Sequence, residues 1–279
     1  MRALLAVEFM KIVRRPMAWV LAVVVFGGFV LLNALFAVMI VGPETPGTDQ
    51  ESLRASVVLP DGFVDSLGLL GLLGSVALII LAAGVVGSEF SWGTMRTMLQ
   101  VQTDRSKVLL AKILSLQIIA AALVVVSVPL SILSSWLMGI AIGEEVPSSV
   151  WLTTAFFGDI PLQAFRVFLA VGMWALIATT LTVITHSLTA GIAATLMLNF
   201  LGGTVSNLIS SLGDAGTWVA RVFPNEAINA VIGLNTASQE MYTRSDYPWI
   251  AASLIVWSVV LTGVALVRFR RMNILDVSA

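Results

Sequence analysis

The 279-residue chain contains no cysteine and a single histidine, His186. The first absence excludes disulfides and thiolate metal sites. The second excludes a histidine-rich metal site. No H-E-x-x-H and no G-x-S-x-G elbow occurs to give His186 a catalytic context, so it reads as a polar turn residue at a membrane surface. No G-x-x-x-x-G-K-[ST] occurs, so the chain has no P-loop of its own for ATP. Charge is also scarce. Only 11% of residues are charged, against about 25% in a soluble domain, and 58% are hydrophobic. The apolar residues come in blocks, and a spanning helix needs roughly 20 of them. The expectation is a polytopic, all-α membrane protein.

Residues 1–16 read as an amphipathic lead-in. Leu5, Phe9 and Ile12 recur at helical spacing, and Glu8, Lys11 and Arg15 hold another face. That pattern predicts a helix lying in the interface with its apolar side in lipid. The alternative is a solvated tail whose charges stop transfer. Pro16 separates this helix from the first span. The apolar run from Met17 to Val41 is too long for a signal-peptide core and lacks a small-residue cleavage site, so it reads as a retained span.

Further spans are expected at 66–87, 108–142, 162–184, 188–210 and 249–267. The third exceeds one crossing and must tilt, kink at Pro129 or protrude. Gly68, Gly71, Gly74, Gly84 and Gly87 mark the second span. They are either close-packing positions or ordinary membrane-helix glycines. Between the spans lie acidic loops at 42–65 and 143–161. The segment 211–248 carries Gly213, Asp214, Pro224, Asn225 and Glu226, and is expected to form short helices capping the bundle as an outer lid. Trp151, Phe156 and Phe157 suit a membrane interface. Arg166 stands near the outer end of span four, with Asp159 as a plausible partner.

Orientation follows from charge segregation. The N-terminus, residues 87–112 and the C-terminal tail hold eleven of the fifteen Lys and Arg, with only Glu8, Glu89, Asp104 and Asp276 among them as acids. Cytoplasmic segments are enriched in Lys and Arg. Six spans with both termini inside are expected, and 87–112 is then cytoplasmic.

The spans carry almost no ionisable groups, which argues against a proton-coupled carrier. Their polarity is neutral: Asn33, Gln117, Ser127, Ser131, Ser134, Ser135, Thr179, Thr180, Thr182 and Asn199. Such groups either bond between helices or line a passage. Asn199, beside Met197, Phe200 and Leu201, is the best passage candidate, with Thr180 a further one.

In the 87–112 stretch, Trp92, Met95, Met98 and Leu99 recur at helical spacing, with Glu89 and Arg96 as charged anchors. Ser91 can cap a short helix, and Thr103 or Asp104 can cap span three. An unpartnered loop has little use for a Trp and three further apolar side chains. The run E89-F-S-W-G93-T94-M-R96-T-M-L99, followed by T103-D-R105-S-K-V-L-L-A111-K112, resembles the signature of type-2 export permeases of the ATP-binding-cassette (ABC) transporters. The six-span outline, the basic start, the Arg-rich end and the Pro224–Asn225 pair before the last span are similar too. Gln102–Thr103 departs from the family form, in which a proline often precedes the turn.

The resemblance implies a permease subunit in a prokaryotic plasma membrane, itself not an enzyme and without a cofactor. It would pair with a second permease, identical or similar, over two ABC ATPase subunits that hold ATP and Mg. Residues 89–101 would be a coupling helix, with Glu89, Trp92, Met95, Arg96, Met98, Leu99 and Arg105 docking the ATPase. The 1–16 helix, through Leu5, Phe9, Lys11, Ile12 and Arg15, would be a second contact. Spans two and five would line a path between the two permeases, with Asn199, Met197, Phe200 and Thr180 as its candidate residues. The cargo would be an amphipathic or hydrophobic compound, as in multidrug efflux. Alternatives are a subunit supporting maturation of an outer metalloenzyme, or a regulatory or sensory subunit coupled to an ATPase. Nucleic acid is not an expected partner.

Overall fold

Apolar blocks punctuated by short capping residues give a chain whose regular structure is helical throughout the described residues. The structure is a computed structural model and describes residues 1–41, 54, 56–91, 104–143, 151–235 and 246–272. In order the helices are α1 (Arg2–Val13), α2 (Pro16–Val41), α3 (Asp61–Ser91), α4 (Arg105–Ile142), α5 (Thr154–Thr185), α6 (Leu188–Ser210), α7 (Asp214–Val222), α8 (Pro224–Gly233) and α9 (Tyr247–Arg271). Six of them, α2 to α6 and α9, are long and apolar enough to cross a membrane.

Local chemistry sets the ends. Asp104, Thr153 and Ser187 cap α4, α5 and α6, their side chains accepting from the backbone N–H groups of Lys107, Phe156 and Ala190. These bonds satisfy donors that a helix start leaves orphaned. Gly143 closes α4 at φ 75°, the left-handed conformation that glycine adopts without a Cβ clash. His186 closes α5 at φ 53° and, with Ser187, forms the two-residue turn into α6.

The helices run past the spans that hydropathy marks. α3 begins at Asp61 rather than residue 66, and α5 at Thr154 rather than 162, so part of the expected outer loop is helix. Hydropathy reports solubility in lipid, whereas backbone hydrogen bonding continues into the interface. α4 continues through Pro129 for 38 residues, about 57 Å at the usual rise, well beyond a roughly 30 Å hydrocarbon layer.

α3 and α5 form the centre. In their apolar windows 72% and 78% of residues are buried, against 11% in α6. Glycines on α3 permit this closeness. A methyl at Gly71 would lie 2.9 Å from Val167 on α5, and one at Gly74 would lie 2.9 Å from Leu123 on α4. At Gly87 the neighbour is the backbone of another span, and a methyl would lie 2.7 Å from Leu188 Cα at the start of α6. Of the five glycines that mark the second span in sequence, four are therefore packing positions, including Gly84 against Met17. Gly68 has open space.

At one end α7 and α8 fold back over the bundle. Ser206 donates to Glu226 (2.6 Å), and the Trp257 indole donates to the Val222 carbonyl (2.8 Å). Arg166 turns toward this layer rather than to Asp159. It donates to the Leu234 carbonyl, Asn235 Oδ1 and the Tyr247 hydroxyl, at 2.8–3.1 Å. A buried guanidinium needs several acceptors, and the end of α8 supplies a free carbonyl beside two polar side chains.

Gly87→Ala is expected to destabilise the fold by about 1–3 kcal/mol through overpacking, because the group in its way is backbone. Gly68→Ala should leave stability unchanged or slightly raised. Apparent Tm values in detergent measure both.

Candidate functional site: the basic end of the bundle

Both described ends of the chain lie at the end opposite α7 and α8, where α3 stops and α4 starts. The centre of this region is Lys112, about two turns into α4 and wholly buried. Its ammonium donates to Glu8 Oε2 on α1 and to Glu89 Oε1 on α3, both at 2.6 Å. Lys11 donates to the other Glu8 oxygen at 2.7 Å. Two carboxylates thus meet two ammonium groups, and the cluster is formally neutral, which an enclosed charge group requires. Glu89 Oε2 is buried without a partner among the described residues. Burial alone would raise the Glu8 carboxyl, but Lys112 and Lys11 outweigh it and hold the group below its ordinary 4.5.

Neighbouring ties extend the cluster. Arg15 donates to the Gly84 carbonyl (3.3 Å) and the Ser88 hydroxyl (3.0 Å), fastening the α1–α2 corner to α3. Arg105 donates to the carbonyls of Met272 (2.6 Å) and Arg270 (3.3 Å), a cation placed at the negative end of α9. Arg270 in turn donates to the Ser106 hydroxyl. Phe90 packs edge-on against His186, ring centroids 5.3 Å apart. Burial, then Arg268, lowers the His186 pKa and keeps the imidazole neutral at neutral pH. Asp104, exposed at the start of α4, is held below its usual range by its hydrogen bond to Lys107.

Several sequence expectations change here. Trp92, Met95, Arg96, Met98, Leu99 and Thr103 lie outside the described residues. Glu89 does not face outward as a docking anchor, because Lys112 draws it into the core. Ser91 ends α3, its hydroxyl donating back to the Gly87 carbonyl, instead of beginning the next helix. Arg105 is occupied with α9. On α1 the two expected faces are not kept apart. Glu8 and Ile12 point inward, Leu5 is half-buried, and Val7, Phe9, Met10 and Val13 are exposed. The electrostatic demand of Lys112 turns the polar stripe toward the bundle, so the apolar stripe does not lie in lipid as one face.

The candidate path residues do not assemble within one chain. Met197 and Phe200 are exposed on α6 and Asn199 is half-buried. Thr180 is buried on α5, donating to the carbonyls of Leu176 and of Leu261 on α9. α3, expected to line a path, is instead the core of the bundle.

Lys112 and Glu8 were the residues that sequence reasoning missed as a pair. A signal existed: Lys112 follows Val108–Leu109–Leu110–Ala111 into an apolar span and so demands a carboxylate. Few acids lie on the basic side, and Glu8 and Glu89 are two of them.

The fold and this site define an all-α membrane protein with six helices of spanning length and a charge-locked basic end. Residues 20–275 match the family described as a protein of unknown function (DUF2705), and the chain belongs to that family. No curated protein matches it.

Lys112→Met should cost about 3–5 kcal/mol, the usual penalty for orphaning a buried charge. The triple variant Glu8→Gln, Lys112→Met, Glu89→Gln should recover much of this, as read by yield of folded protein and Tm. The depressed Glu8 pKa gives the sign of the acid response. Its contribution is complete above pH 4.5 and is lost as pH falls through that value and below. Glu8→Gln should flatten that part of the stability profile.

Proposed function

We propose that the chain is the permease subunit of an ATP-driven exporter of the ABC type, moving an amphipathic or hydrophobic compound outward. The ATP would be hydrolysed by a separate cytoplasmic subunit. The reading rests on the 89–112 signature, together with one structural observation. Residues 92–103, which carry Trp92 and Arg96, run between two helix ends that are each tied to other helices. Before them, Glu89 and Ser88 are held through Lys112 and Arg15 to α4 and the α1–α2 corner. After them, Arg105 is held to α9. Any force applied to that segment would pass directly into four helices. In this reading the basic end faces the cytoplasm, as its eleven Lys and Arg favour.

A second copy would meet the thinly covered α6, and the path would pass Asn199, Met197 and Phe200. Thr180, enclosed between α5 and α9, is left out of it. Lys112 is a positioning residue here, setting where α3 ends and α4 begins.

Purification from native membranes should bring down a nucleotide-hydrolysing subunit. Trp92→Ala should weaken that association by roughly tenfold or more, the usual effect of removing a tryptophan anchor. Arg96→Glu should lower compound-stimulated ATP hydrolysis while leaving membrane insertion intact. A chain isolated without any ATPase sinks the assignment. Full coupled activity in Trp92→Ala sinks the role given to 92–103. Asn199→Leu should change compound preference more than assembly, and unchanged selectivity would return it to packing.

A further inference from the structure

A cleft of about 550 Å³ opens on the flank of the bundle between α4, α5 and α9. It is distinct from the basic end and from the α6 face. Its volume lies within the range of about 300–1,000 Å³ typical of small-molecule sites. Gln117 enters it from α4, Gly172 and Phe168 from α5, and Ile255 and Ser258 from α9. None of the lining residues is ionisable.

Depth follows from the helix rise. Counted from the basic ends of their helices, Gln117, Gly172 and Ser258 each lie about 18–20 Å along, inside a roughly 30 Å hydrocarbon layer. At that depth an unsatisfied polar group is costly, because no water replaces the missing bond. Inner-helix hydroxyls such as Ser75, Ser115, Thr179 and Thr182 avoid the cost by donating to their own helix four residues back. Ser258 makes no such bond and has no partner among the described residues. Gln117 donates one N–H to the Gly172 carbonyl at 3.0 Å. Its second N–H and its amide oxygen have no partner among the described residues. Two facing helices thus offer a hydroxyl and an amide to one apolar cleft.

We propose that this cleft binds an uncharged, membrane-dissolved amphiphile: an apolar body with one neutral hydrogen-bonding group, such as a hydroxyl or amide. The body fills the space beside Phe168 and Ile255, and the polar group meets Gln117 and Ser258. A charged headgroup is excluded, because no counter-charge lines the site. A bare acyl chain would leave both polar groups unmet. The proposal stands whether or not the chain is an export permease.

Photolabelling of the full chain in lipid nanodiscs tests it, with a diazirine-bearing octanol as probe and the matching diazirine alkane as comparison. Labelled residues are read by mass spectrometry of α4, α5 and α9 peptides. The alcohol should label the cleft roughly fivefold more than the alkane, the discrimination one hydrogen bond supplies. Excess unlabelled octanol, but not decane, should suppress it, a result that needs no variant. Gln117→Leu with Ser258→Ala should reduce alcohol labelling to the alkane level, and Ile255→Trp should block both probes. Equal labelling by alcohol and alkane in the wild-type chain overturns the proposal, because the cleft is then ordinary lipid-facing surface. Alcohol labelling that survives loss of both polar groups overturns it as well.

Discussion

An ammonium with no exposure to solvent cannot stand alone in an apolar bundle, and the position of Lys112 therefore constrains much of the chain. Its partners come from α1 and α3, so the N-terminal helix is drawn beneath the membrane helices. The end of α3 is set against the start of α4 by the same contacts. The cluster remains neutral because Lys11 joins it. Such a group is weak evidence of stability, since its desolvation cost is close to its attraction. What it specifies is register: a slip of α1 or α3 by one residue would leave a charge enclosed and unpaired.

Around this anchor the packing divides the helices into two kinds. α3 and α5 are enclosed on nearly all sides, and the glycines of α3 let neighbours reach its backbone. α2, α6 and α9 present long apolar faces outward. A helix in lipid gains little from hiding Leu against Leu, so close approach at small residues carries much of the association. The end opposite the basic one has its own fixed point in Arg166, whose three acceptors join α5 to the end of α8 and the start of α9. Each end of the molecule is thus closed by a buried cation, with carboxylates around one and neutral oxygens around the other.

The fold class was legible because apolar block length is a strong signal. Six blocks appear as six helices, and the cap at Asp104 could be read from residue type. Helix ends were less legible: nothing in the hydropathy of 154–161 separates a helix containing Pro161 from a loop. The orientation of α1 was misread for a clear reason. Periodicity shows that Glu8, Lys11 and Arg15 share a face, but not which face the rest of the chain needs. That depended on Lys112, 104 residues away from Glu8. Arg166 was misassigned in the same way, by choosing an acid near in sequence over carbonyl and hydroxyl acceptors near in space. Of the candidate site, the charged residues that flank 92–103 could be named from sequence, whereas their inward direction could not. The expected path set failed at Thr180 because a threonine at helical spacing carries no sign of which neighbour it faces.

The mid-membrane hydroxyls have one more consequence. Ser75, Ser115, Ser127, Thr179, Thr182 and Thr195 all donate within their own helices. Directional bonds between helices are correspondingly sparse at depth, with Ser134 to Asn33 and Gln117 to Gly172 among the few. Strong cross-links gather instead at the two ends. Mechanically this is a set of rods pinned at their tips and resting on smooth bearings along their length. Small rotations between rods would mostly trade one apolar contact for another and break few bonds in the low-dielectric interior. The directional stiffness of the assembly would then reside in the pins, with close packing at the α3 glycines setting the spacing of the rods between them.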